Sequence, residues 1–126
     1  CCCDIKDKST QAASESKWKE LVNTELKFIH ELLQRGVETF AKIVVTSQTR
    51  LPDMAWICEN LSEMRHPDGE LVGLAIQPAT IESQELNRTH NISLKHLNEI
   101  FYTAARYLPP ESLTLSLQAH KYLNLL

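Results

Sequence analysis

From Trp18 to Val44 the apolar residues fall on spacings of three and four: Trp18, Leu21, Val22, Leu26, Ile29, Leu32, Leu33, Val37, Phe40, Ile43 and Val44. That is the period of one helix face. Nothing else in the chain constrains the fold as strongly. Ser14 or Ser16 is placed to cap such a helix. Glu15 and Lys19, Glu31 and Arg35, and Glu38 and Lys42 set the acid four residues before the base, the more favourable order. The spacing predicts one helix from about residue 15 to 47, about 50 Å long at 1.5 Å per residue. Gly36 is its weak point, costing about 1 kcal/mol against Ala in a helix interior, and it marks close packing or a bend.

Arg50-Leu51-Pro52-Asp53 is a break and a restart, with Pro52 suited to a first helical turn and Asp53 complementing the helix dipole. Met54, Ile57, Leu61 and Met64 then predict a second helix to about Arg65, closed by His66-Pro67-Asp68-Gly69. Residues 70–77 read equally as a short buried helix or a strand. Pro78 suits the start of a short helix through Leu86, and 87–91 is a polar connection. Asn91 or Ser93 caps a helix carrying Leu94, Leu97, Ile100, Phe101, Ala104, Ala105 and Leu108, which Pro109-Pro110 stops. In 111–126, Leu113, Leu115 and Leu117 alternate as in a strand, but Leu is a helix former and the segment is read as helix. Only three glycines and five prolines interrupt the 126 residues, which favours long regular elements. The expected fold is all-α: a single four- or five-helix bundle over 15–126, with one long N-terminal helix.

The first residues stand apart. The chain opens Cys1-Cys2-Cys3 and continues through a polar stretch, Asp4 to Ser16, with too little to bury to offset its ordering entropy. Residues 1–14 are therefore expected to be a flexible tether. A terminal cysteine followed by a polar linker resembles the mature N-terminus of bacterial lipoproteins, over about the first 16 residues. The resemblance implies that Cys1 carries lipid, and in a eukaryotic version that Cys1, Cys2 and Cys3 are palmitoylated together. It places the protein on a membrane of the bacterial envelope, facing the periplasm. It also suggests the work small lipoproteins do: accessory or pilot proteins of secretion and pilus machines, exclusion factors, immunity proteins. The alternative is a cytosolic or palmitoylated helical adaptor of a larger assembly.

Little chemistry competes with that reading. The net charge of −3 and the scattered Lys and Arg argue against a nucleic-acid partner. No Gly-rich phosphate loop, GxSxG or HExxH is present, so enzyme activity from dispersed residues is the weakest option. The thiols and the separate histidines, His30, His66, His90, His96 and His120, lack zinc-ligand spacing, and neither metal nor cofactor is expected. Cys58 reads as a small buried hydrophobe. Asn87-Arg88-Thr89 and Asn91-Ile92-Ser93 match the N-glycosylation pattern, which matters only in a eukaryotic secretory pathway. Trp18, Met54, Trp56 and Met64 are the candidate protein-binding surface, because aromatic and Met side chains recur at interfaces. The same residues at helical spacing are more often core.

Overall fold

The computed structural model describes residues 1–11, 14–78 and 92–115, and it is an α/β fold rather than a helical bundle. Strand β1 (Cys2–Ile5) leads through a 3-10 turn (Lys8–Thr10) to helix α1 (Glu15–Gln34). Strand β2 (Phe40–Val45), helix α2 (Leu51–Leu61), strand β3 (Gly73–Pro78), helix α3 (Leu94–Ala105), a second 3-10 turn (Pro110–Ser112) and strand β4 (Leu113–Leu115) follow. The four strands are parallel and lie in chain order, β1-β2-β3-β4.

The long first helix is corrected at Gly36. Gly36 adopts φ +75°, open to glycine at little cost. Its N–H bonds to the Leu33 carbonyl at 3.0 Å, and the Val37 N–H reaches back to the Leu32 carbonyl at 3.0 Å. This pair of bonds is a Schellman stop. Phe40, Ile43 and Val44 fall on the helical period by coincidence. The β-branched run Ile43-Val44-Val45 prefers a strand and forms the second half of β2. The tether is corrected as well. Cys3 and Ile5 alternate with Cys2 and Asp4 in β1, and both are buried.

Residues 70–77, legible either way, form β3 from Gly73 onward. Residues 113–115, expected in a helix, form the edge strand β4. Pro78, expected to open a short helix, instead ends β3; the rest of that predicted helix through Leu86, the glycosylation patterns around 87–91 and the segment 116–126 lie outside the described residues. The caps at Ser14 and Ser93 form as expected, accepting from the backbone N–H of Lys17 and His96.

Alternation along each strand sorts the sheet into two unlike faces. Cys3 and Ile5, Ala41, Ile43 and Val45, and Leu74 and Ile76 are buried on one face. They share a core with Trp18, Val22, Leu26, Ile29 and Leu33 of α1, Met54, Ile57, Cys58 and Leu61 of α2, and Ile100 and Ala104 of α3. Each fully buried large apolar side chain contributes about 1.5–3 kcal/mol relative to exposure. The other face presents Cys2, Asp4, Phe40, Lys42, Val44, Ala75 and Gln77, all exposed or half-buried. Among the described residues no helix packs on this second, bare face; parallel sheets are ordinarily covered on both sides.

Candidate functional site

Parallel β/α folds place their sites where the strands end, because the loops there converge on one pole. At that pole a cleft of about 320 Å³ is lined by Asp4, Ile5, Lys6, Asp7, Thr10, Gln11, Lys42 and Val44. The sheet register sets Asp4 opposite Lys42 on the bare face. Lys6 Nζ lies 3.9 Å from Asp4 Oδ2. The backbone at Lys6 is held from the helix side. Its carbonyl accepts from Trp18 Nε1 at 2.7 Å, and its N–H donates to Glu25 Oε1 at 3.2 Å. Burial beside the strand end pushes the Glu25 carboxyl above its ordinary range, and the Lys6 N–H opposes that shift.

Behind the cleft is a polar cluster built from two loops. Asp7 is 1 % exposed. Its Oδ2 accepts from the Ser9 backbone N–H at 3.1 Å, from the Thr49 hydroxyl at 2.9 Å and from the Ser9 hydroxyl. Thr46 Oγ1 donates to Ser9 Oγ at 2.6 Å, and the Thr46 N–H donates to Thr49 Oγ1 at 2.8 Å. The carbonyl of Thr49 lies 2.8 Å from His96 Nε2 on α3. A carbonyl only accepts, so that ring nitrogen carries the proton. Arg50 closes the outer side with two bonds to the buried Asp53 carboxylate, at 3.0 and 2.9 Å.

A larger cleft of about 610 Å³ lies at the opposite pole, among Glu38, Phe40, Arg65, His66, Glu70 and Ser112. Its main polar groups are occupied in holding the hairpin before β3. His66 Nε2 accepts from the Thr39 N–H at 3.0 Å, Arg65 donates to the Gly69 carbonyl at 2.9 Å, and the Glu70 N–H bonds Asp68 at 3.0 Å. In this architecture the pole where strands begin serves stability. Chemistry therefore favours the smaller cleft over the larger.

The residues singled out from sequence lie elsewhere. Cys1 and Cys2 are exposed and Cys3 is buried, at the start of β1 and away from the cleft. Cys1 and Cys3 have their sulfurs 4.0 Å apart. Trp18 and Met54 have no exposed surface, so they form core rather than an interaction surface. Trp56 and Met64 are partly buried against that core. Trp56 meets Trp18 edge-on at 5.6 Å, and Lys19 Nζ lies 5.6 Å from the Trp56 ring centre. Among the described residues no three His, Cys, Asp or Glu side chains are grouped to hold a metal ion, and no helix is long and apolar enough to cross a membrane. Asp7, Lys6 and Lys42 escaped notice because Asp4–Ser16 reads as solvated linker and Lys42 as a helix-surface charge. The signal present was Thr46-Ser47-Gln48-Thr49, a hydroxyl-rich turn directly after a β-branched run.

The chain is 37% identical over 123 residues to a 7-carboxy-7-deazaguanine synthase of Thermococcus kodakarensis, covering 98% of this chain and 42% of that protein. It is 29% identical over 124 residues to a 7-carboxy-7-deazaguanine synthase of Methanocaldococcus jannaschii, covering 98% of this chain and 47% of that protein. The chain thus spans less than half the length of these curated relatives. No protein-family model matches it, and no solved structure does. These findings overturn the expectation of a non-catalytic, membrane-tethered binding protein, since both relatives are enzymes. They also remove the ground for a bacterial envelope location, because both relatives are archaeal and the supposed tether contains a core strand.

Proposed function

We propose that this chain supplies part of an enzyme that makes 7-carboxy-7-deazaguanine, and that its part is a wall of the pocket holding the base. The observation that carries the reading is the 37% identity to the Thermococcus synthase, which runs through 98% of the chain. The geometry of the cleft supports it. A deazaguanine bearing a carboxylate offers hydrogen-bond donors on its amino edge and a negative charge on its five-membered ring. The cleft offers both complements within one small volume: carboxylates at Asp4 and Asp7, ammonium groups at Lys6 and Lys42. Lys42 rises from the middle of β2 on the bare sheet face, so its charge is held by a rigid element.

In this reading the chain's residues bind and orient. Lys42 takes the carboxylate, Lys6 and Asp4 set the charge of the rim, and the strand ends exclude water from one side of the base. The test is calorimetric titration of the 126-residue chain with 7-carboxy-7-deazaguanine. Saturable binding with one site per chain, weakened about tenfold or more by Lys42→Met through loss of a charge-assisted contact, is the expected result. Absence of binding, or binding indifferent to Lys42, would remove this cleft from the site.

A further inference from the structure

We propose that Asp7 is the group that reads the amino edge of the bound base, and that His96 is a positioning residue that holds it there. This rests on the reading above and assigns the specificity of the same site. The argument is a count of protons. Thr46, Ser9 and Thr49 each own one hydroxyl hydrogen. Thr46 gives its hydrogen to Ser9, and Ser9 and Thr49 give theirs to Asp7 Oδ2. The Ser9 backbone N–H also goes to Oδ2. The three donors that reach the carboxylate therefore converge on one oxygen. Asp7 Oδ1 is buried and has no hydrogen-bond partner among the described residues.

Buried polar atoms are almost always partnered, and an orphan calls for an explanation. The nearby side chains do not provide it. Thr10 Oγ1 donates to the Asp7 backbone carbonyl, and Gln11 Nε2 donates to Thr10 Oγ1. Both residues line the cleft with Asp7, and Gln11 is only half-buried. Asp7, Thr10 and Gln11 thus share one wall of the cleft. A ligand seated against that wall brings its own donor to Oδ1. The fitting partner is a flat base with an exocyclic amino group beside a ring N–H, since a carboxylate matches that edge. His96 enters because its Nε2–H fixes the Thr49 carbonyl at 2.8 Å. It thereby sets the loop whose hydroxyl locks Oδ2 and leaves Oδ1 as the unpaired oxygen.

The consequence for Asp7→Asn is specific. Three donors still require an oxygen at the Oδ2 position, so the amide places its NH2 where Oδ1 stood. A donor then faces a donor. The experiment is titration of the chain with 7-carboxy-7-deazaguanine and with the analogue carrying hydrogen in place of the 2-amino group. The native chain should prefer the parent by about tenfold or more, the range of a hydrogen bond to a charged group. Asp7→Asn should abolish or reverse that preference. His96→Ala should shrink it, and His96→Gln, whose amide can donate to the same carbonyl, should restore it. Equal affinity of the native chain for the two bases overturns the assignment of Asp7 while leaving the proposed function standing. A preference that survives in a folded Asp7→Asn chain does the same. Failure of the native chain to bind the parent base sinks both. Should Asp7→Asn not fold, the native preference and the two His96 variants still decide.

Discussion

Single residues carry the sharpest expectations. Cys58 lies in α2 with no exposed surface, and burial pushes its thiol up to about 12. The thiolate is the reactive form, and at pH 8 that value leaves only about one thiolate in ten thousand. Alkylation of the native chain should label Cys1 and Cys2 promptly and reach Cys58 only in denaturant; prompt native labelling of Cys58 would contradict its place in the core. Glu25 supplies a pH test. Its folded carboxyl is raised by burial, so the ionised form is disfavoured in the fold and stability rises as pH falls through the folded value. Glu25→Gln keeps an acceptor for the Lys6 N–H and removes the charge. It should stabilise slightly at pH 7, the effect being small because solvent screens a half-exposed site. The difference should vanish near about pH 3, where native Glu25 is protonated. A destabilised variant at pH 7 would show the Lys6 bond outweighing burial. Cys58 was legible as a buried hydrophobe beside Ile57. Asp7 was not, because an aspartate between two lysines in a Ser-rich run looks solvated until a second loop, forty residues on, is folded against it.

At the level of elements, the sequence declared where α1, α2 and α3 begin, and concealed where the first one ends. The caps and the apolar period from Trp18 to Leu33 were read correctly, since both are local. The stop at Gly36 is visible as a glycine, but the sequence offers close packing or a bend as its meaning. Its meaning depends on positive φ, which no side-chain period reveals. Beyond it, Phe40, Ile43 and Val44 satisfy the spacing of a helix and of a strand at once, and only β-branching favours the strand. The prediction follows from the backbone. An added Cβ at Gly36 meets nothing within 4 Å, so Gly36→Ala is strained by conformation alone and should cost about 1–2 kcal/mol in urea unfolding. A neutral result would mean that the chain leaves α1 by another route. Leu33, one turn earlier and almost fully buried, should cost about 2–5 kcal/mol as Ala.

Across the whole molecule the governing feature is the inequality of the two sheet faces. One face is core and the other carries the charges of the candidate site, with Ile43 and Lys42 adjacent in β2 and pointing opposite ways. The all-α expectation failed here for a physical reason. β1 and β4 are too short for an alternating pattern to stand out, with four and three residues, and parallel pairing joins segments far apart in the chain. The relatives run to more than twice this length. Stability and binding should therefore separate by parity along β2. Ile43→Ala should cost about 2–5 kcal/mol, the range for emptying a filled core position. Lys42→Met, of similar length and apolar, should leave the melting temperature within about 2 °C, as for a surface change worth under 0.5 kcal/mol. It should nonetheless weaken capture of the carboxylated base. If Lys42→Met instead melts the fold, the bare face is structural and the strand-end cleft loses its rigid cation. If Ile43→Ala is tolerated, β2 is out of register with the helices above it, and the alternation that defines both faces fails.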